Sequence, residues 1–167
     1  MIKLKLDGDI DVPDYQTEGS SGFDLQALDI SQVYQGARKI SSDKLDKLKE
    51  SFIEKGSINI RPAERILIGT GITVADLEKG YEIQIRSRSS VAGKRGLFIS
   101  NQPGTIDSDY RGEIFVSIYN SNKFLTAIFH KERIAQAVIC KVEHPELEIT
   151  EQISSTQRGD GGFGSTN

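Results

Sequence analysis

The chain has little of what builds a metal centre or a covalent cross-link: one cysteine, Cys140, and two isolated histidines, His130 and His144. A single thiol excludes an intrachain disulfide, and without a second thiol or a close histidine pair there is no zinc-ligand cluster. This reads as a reducing compartment, and the chain is expected to be cytoplasmic. Positive charge is not in surplus either. With 21 Lys and Arg against 24 Asp and Glu, the formal net charge is −3, so no overall field would hold a nucleic-acid backbone, and any bound anion must sit in a local site. Long hydrophobic runs are missing as well. Charge interrupts Met1 to Asp7, and the longest nearly apolar run, Ile66 to Ala75, contains Gly69, Thr70, Gly71 and Thr73. Neither a signal peptide nor a membrane span is read, and no membrane partner is expected.

What is present suits one domain. A chain of 167 residues with 37% apolar residues and 16 glycines can bury a core of ordinary size. Period-two alternation recurs: Ile2, Leu4 and Leu6 against Lys3, Lys5 and Asp7; Tyr81, Ile83 and Ile85 against Glu82, Gln84 and Arg86; Ile114, Val116 and Ile118 around Ser117. Such runs predict half-exposed antiparallel strands. Further strand-like runs at Ile66–Val74, Leu97–Ser100 and Ile134–Val142 are separated by Gly, Asn, Asp and Ser clusters, which predicts an all-β sandwich or barrel of short strands. One helix stands out, Asp43 to Lys55. Its Leu45, Leu48, Phe52 and Ile53 form an apolar stripe, with Ser42 as the expected cap and Gly56 as the stop. The last ten residues, from Arg158, are glycine-rich and are expected to be mobile when free.

Two motifs mislead. Gly159, Gly161 and Gly164 match a dinucleotide fingerprint, but only three residues follow, so the helix that would meet a pyrophosphate has no room. Gly93-Lys94 resembles the end of a phosphate-binding P-loop, yet Arg88 and Arg95 stand where a glycine and a Ser or Thr are needed.

Five other segments carry groups that handle phosphate or activate water. Ser20 to Ala27 sets Asp24 beside Gly22. Arg86 to Gly96 packs cations and hydroxyls together, a composition suited to oxyanions. Gly104 to Glu113 puts Asp107, Asp109 and Tyr110 between glycines, and a carboxylate there can serve as a general base for water. Glu132 to Gln136 opens a strand-like run with Arg133 and Gln136. The tail offers Arg158 and unobstructed backbone N–H groups that can wrap an anion. Taken singly, each is equally well a solvated turn or loop.

In order, the five segments resemble the five motifs of the trimeric deoxyuridine triphosphatase (dUTPase) family, over nearly the whole chain. The matching residues are Gly22-x-Asp24-Leu25-x-Ala27, Arg88-Ser89-Ser90, Gly104-x-Ile106-Asp107-Ser108-Asp109-Tyr110-Arg111-Gly112, Arg133-Ile134-Ala135-Gln136, and Arg158-Gly159-x-Gly161-Gly162-Phe163-Gly164-Ser165-Thr166. The resemblance implies a jelly-roll β-barrel over residues 1–157, a lid segment over 158–167, a homotrimer whose active sites draw on more than one chain, dUTP as substrate and Mg²⁺ as cofactor. It places Asp107 as the base that activates water against the α-phosphorus. It places Tyr110 against the deoxyribose, and Asn101, Gly104 and Ile106 in the hairpin that reads uracil. Arg88, Ser89, Ser90, Arg133 and Gln136 fall on the triphosphate or brace the site, and Asp24 orients metal-bound water. Phe163 covers the base, Arg158 meets the γ-phosphate, and Gly164 and Ser165 complete the closing tail.

Departures from the family pattern are local. Ser87 stands where proline is usual, Lys131 where glycine is common, and roughly residues 31–60 form an insertion containing the helix. That insertion reads as a surface helix docked on the barrel, with a handle for a protein partner as the alternative. Two other functions stay open: a dCTP deaminase of the same fold, which would need a glutamate where this chain has Ser117, and a dUTP-sensing regulator acting through the helix.

Overall fold

The computed structural model describes residues 1–161, so Phe163, Gly164 and Ser165 lie outside the described residues. In chain order the elements are β1 (Ile2–Leu6), β2 (Phe23–Gln26), β3 (Asp29–Gln35), β4 (Arg38–Lys39), α1 (Ser42–Lys55), β5 (Ser57–Ile60), β6 (Glu64–Leu77), β7 (Tyr81–Ser87), a π-type turn at Ser90–Lys94, β8 (Leu97–Ile99), β9 (Gly104–Ile106), β10 (Glu113–Asn120), β11 (Thr126–Phe129) and β12 (Arg133–Lys141). Each strand expected from alternation is there. Ile114, Val116 and Ile118 are buried, as are Ile83 and Ile85, while their polar neighbours face outward.

Among the described residues the strands make three antiparallel sheets, and hydrogen bonding does not close them into one continuous barrel. One sheet runs β4-β3-β6-β10-β8 with β1 also on β6, a second runs β2-β12-β7-β9, and β5 pairs with β11. The architecture is that of a jelly roll: the inward faces of the two larger sheets share one core, in which Ile68 and Val116 belong to the same cluster as Leu25, Ile85 and Ala137. The long strand β6 takes two partners in succession. β3 pairs with Glu64–Gly69 and β1 with Ile72–Leu77. Between them Gly71 adopts φ +67°, and a Cβ there would collide with the Asp7 carbonyl and the Leu28 side chain, so the strand-like run Ile66–Val74 is part of one longer strand that passes through a left-handed glycine.

The helix α1 docks on β3 and β5. Phe52 is fully buried and meets His130 edge-on, with ring centroids 5.5 Å apart, and Leu45 and Leu48 pack on the same core. Two expectations need correction. Ile53 is 54% exposed: at 100° per residue it rotates past the edge of the stripe that Phe52 centres. The N-cap is Ser41, with no side-chain capping bond; Ser42 lies inside the helix, and its hydroxyl turns to the Asp43 carboxylate instead. Gly56 ends the helix at φ +68° as expected.

Candidate functional site

Three of the five segments meet in one cleft. The register of the four-stranded sheet sets Asp24 of β2 opposite Gln136 of β12, and Gln136 opposite Arg86 of β7. Residues paired directly across strands point to the same face, so a carboxylate, an amide and a guanidinium stand in one row. Arg88 enters from just beyond β7. Its Nε lies 3.0 Å from Asp24 Oδ1, while Arg133 NH1 lies 3.3 Å from Asp24 Oδ2, and Arg88 NH1 also donates to the Arg133 carbonyl at 2.8 Å. The Asp24 side chain is only 13% exposed. It holds two cations side by side that would otherwise repel. Asp24 and Arg88 border a cleft of about 400 Å³, also lined by Ser89, Ser90 and Gln136, while Arg133 lines a neighbouring depression that shares Gln16 and Asp24 with it.

Gly22 has a structural reason of its own. A Cβ on it would run into the Ala137 carbonyl and the Val138 side chain, so the glycine lets β2 approach β12 closely enough to bring Asp24 to Gln136. Lys131 has φ +61°, the left-handed conformation that favours glycine and costs other residues roughly 1–2 kcal/mol. That accounts for glycine being common there, and here the lysine instead reaches Asp9 at 2.6 Å.

Asp107 does not line this cleft. It is exposed and borders a separate depression of about 610 Å³, with Glu82, Asp109, Arg111 and His144. Among the described residues no hydrogen bond or ion pair engages its carboxylate. Since Ile106 pairs with Ile83, continuing the register puts Asp107 beside Glu82. From there to Arg88 is six residues of chain, or roughly 20 Å of strand. One chain therefore does not bring its Asp107 to its own Arg88. Tyr110 sits nearby, with its hydroxyl donating to the Glu113 carbonyl at 3.1 Å. Its ring lies where a side chain on Gly112 would be, which explains that glycine.

The hairpin between β8 and β9 has its two arms in different sheets: Ile99 pairs with Ile118 of β10, and Gly104 pairs with Ile85 of β7. Asn101 is exposed in the turn, and its amide nitrogen would be only 3.4 Å from a Cβ on Gly104. The turn thus presents backbone and one amide to whatever lies over it. Arg158 is exposed, and its Nε donates to the Gly161 carbonyl within its own turn at 2.9 Å, so in the free chain the structure brings it to neither the cleft nor Asp107.

One cleft residue escaped the sequence reading, and a second was read there only as part of the cation-rich segment. Gln16 accepts from Arg133 NH1 at 2.5 Å, but it lies in an irregular segment with no periodic signal. Arg86 faces the cleft opposite Gln136; its alternation with Ile85 showed that it points outward, while only the pairing register shows what it faces. No group of three or more His, Cys, Asp or Glu arranged for a metal occurs among the described residues.

A family model described as dUTPase matches residues 55–167. The chain is 42% identical over 162 residues to the deoxyuridine 5'-triphosphate nucleotidohydrolase of Nautilia profundicola, covering 97% of this chain and 94% of that one. It is 43% identical over 166 residues to the protein of the same name from Hydrogenobaculum sp., covering 99% and 96%. The fold is similar to that of the Staphylococcus bacteriophage 80alpha dUTPase solved with dUPNHPP, at TM-score 0.73 and 24% identity, covering 100% of this chain and 98% of that one. Sequence likeness of this extent, over nearly the whole chain, makes it a member of the dUTPase family.

Proposed function

We propose that this chain hydrolyses dUTP to dUMP and pyrophosphate, in a site built from the Arg88–Asp24–Arg133 cleft of one copy and the Asp107–Tyr110 surface of another. The observation that carries this is the separation between the two halves. A guanidinium and a carboxylate roughly 20 Å apart along one strand cannot act on the same triphosphate. Each half becomes complete only when a neighbouring copy supplies the other, which favours the homotrimer that the resemblance implies. Leu147, Ile149 and Ile153, at 90%, 100% and 95% exposure, lie on an irregular segment beyond β12, and large apolar side chains this exposed suit a surface that a second copy covers.

In this reading the hairpin's backbone and Asn101 pair with the polar edge of uracil. With cytosine those groups are left without partners, and the methyl of thymine has no room. Tyr110, held by its bond to Glu113, packs on the deoxyribose where a ribose 2′-hydroxyl would clash. Arg88, Ser89, Ser90 and Gln136 take the phosphate oxygens, and Arg133 braces Arg88 through Asp24. Asp107, exposed and with no side-chain partner among the described residues, orients a water in line with the α-phosphorus and takes its proton. The new P–O bond forms as the bond to the β-phosphate oxygen breaks, and pyrophosphate leaves. Residues 158–167 close over the nucleotide, with Arg158 toward the γ-phosphate and Phe163, Gly164 and Ser165 over the base, excluding bulk water.

Mg²⁺ fits this donor set. Asp24 is a carboxylate at the edge of an anion cleft, suited to accept from metal-bound water, and the ion would neutralise charge on the phosphates while keeping several waters of its own. The deaminase alternative finds no support in the residues. Ser117 Oγ lies 2.7 Å from Ser100 Oγ, a hydroxyl pair with no carboxylate to activate water at C4.

The test is hydrolysis by the purified chain with Mg²⁺ and each of dUTP, dCTP, dTTP and UTP, following pyrophosphate and ammonia. Pyrophosphate from dUTP alone is expected. Asp107→Asn should lower kcat by about 10²-fold or more, with the KM for dUTP little changed. Normal turnover in that variant would remove Asp107 from the base position.

A further inference from the structure

We infer that Ser87 and Gln102 form a brace that sets the position of the uracil-reading turn relative to Arg88, making both residues positioning residues for base selection. This rests on the dUTP-hydrolysing reading above.

The turn at Ser100–Pro103 has an unusual mechanical problem. Its incoming arm, β8, is the outermost strand of one sheet, and its outgoing arm, β9, is the outermost strand of the other. Neither arm is hydrogen-bonded to its partner as in an ordinary hairpin, so ladder bonds do not set the spacing of the two sheets at this end. An edge strand also carries a row of N–H groups with no strand beyond it to accept them.

Ser87 lies at the junction. It ends β7, pairs in register with Ala135 of β12, and immediately precedes Arg88. Its hydroxyl accepts the N–H of Ile99 on β8 at 3.1 Å, tying the edge of the first sheet to the end of the second. Its own N–H donates to Gln102 Oε1 at the tip of the turn, also at 3.1 Å. One residue thus holds the turn at two points, and the same residue anchors the start of the phosphate-handling segment. Displacing the turn displaces Asn101 and Gly104 against a base, while the triphosphate stays fixed by Arg88.

The identity of residue 87 gives the brace its meaning. Proline, usual here in the family that the sequence resembles, has neither an N–H nor a hydroxyl, so both ties are absent from such a chain. The Ser87 N–H points toward the turn and not into the β12 ladder, so proline would forfeit no strand bond. This chain has a donor that needs an acceptor, and Gln102 supplies it. Gln102 is exposed and contributes no core packing, so its effect falls on where the turn sits.

The experiment measures steady-state hydrolysis of dUTP and dCTP by the parent protein, by Gln102→Met, which keeps length but has no acceptor, and by the double variant Ser87→Pro with Gln102→Met, in which the donor is also gone. Thermal unfolding is recorded for each. Gln102→Met should raise the KM for dUTP by about 3- to 10-fold, the range of one lost hydrogen bond, with kcat within about twofold, an unchanged Tm and a narrowed preference for dUTP over dCTP. The double variant, which loses the Ile99 tie as well, should show a KM at least as high as Gln102→Met. An unchanged KM and preference in Gln102→Met overturns the brace. So does a fall in Tm or a failure to fold, which would make the contact structural, and so does a double variant that regains the parent KM, which would show that the penalty comes from an unpaired Ser87 N–H and not from a displaced turn. A parent protein that does not hydrolyse dUTP would instead refute the function on which the inference rests, whatever the variants do.

Discussion

Phe52 and Ile53 are neighbours on α1 with the same apparent place in the sequence pattern, and the structure assigns them very different energies. Phe52 is fully buried, between the helix and the strands it covers, with its ring edge-on to His130, whereas Ile53 is 54% exposed. Truncating a buried phenylalanine costs about 3–5 kcal/mol, from lost transfer energy and the cavity left behind. The aromatic contact adds to the area term, and the site has limited room to collapse because Leu45 and Leu48 hold the helix from the same side. About 4 kcal/mol is therefore expected for Phe52→Ala, a large share of the roughly 5–15 kcal/mol that holds a typical domain folded. Ile53→Ala should change stability by less than about 0.5 kcal/mol, as exposed positions generally do. Urea unfolding of both variants at one fixed protein concentration measures the difference, because mass action shifts the apparent stability of any oligomer. The helix packs on β3 and β5, away from the hairpin and the arginine cleft, so the folded Phe52→Ala protein should hydrolyse dUTP with kcat within about twofold of the parent. A cost below about 1 kcal/mol, or equal costs for the two variants, would refute the docked-helix account and leave the insertion free for some other role.

What could be read from residues alone follows a physical division. Local periodicity is a property of neighbours in sequence, so the strands through Ile83 and Ile85 or Ile114 to Ile118 are visible without coordinates, as is the helix around Phe52. Pairing is a property of distant segments. That Gln136 lies between Asp24 and Arg86 depends on the register of three strands spread over more than a hundred residues of chain, and no local pattern encodes it. Gly71 illustrates the boundary: the run Ile66–Val74 reads as a strand from its residues, while only the fold shows that its glycine is left-handed where Asp7 and Leu28 crowd it. The five motifs supply candidate groups for the chemistry but not their grouping, because Asp107 and Arg88 sit on the same sheet at opposite ends of β7. That distance is a property of the folded chain, and it is what supports the proposal of sites shared between copies.

Two further perturbations probe the charges around the cleft. A hydrogen bond from Lys131, reinforced by its positive charge, holds the Asp9 carboxyl below its ordinary value. The stabilisation from that pairing is present above the usual carboxylate range and is lost as pH falls through the lowered pKa. Lys131→Met should return Asp9 to an ordinary carboxylate titration, read by NMR of the side-chain carboxyl; an Asp9 titration that stays depressed would show that the lysine is not the cause. Asp24→Asn tests the carboxylate between the two arginines. Asparagine keeps the shape and one acceptor oxygen, so Arg88 or Arg133 can retain a hydrogen bond, but the charge that offsets two adjacent guanidinium groups is gone. The arginines are themselves 28% and 46% exposed, and ion pairs of that exposure contribute at most about 1 kcal/mol each, so the fold should lose no more than about 2 kcal/mol. Positioning is less forgiving. If Arg88 and Arg133 move apart under their own repulsion, the cleft no longer matches a triphosphate, and kcat/KM for dUTP should fall by about 10-fold or more. A variant that keeps full kcat/KM while losing stability would show that Asp24 merely holds β2 against β12, and the cleft would then owe its shape to the strand register and the close approach at Gly22.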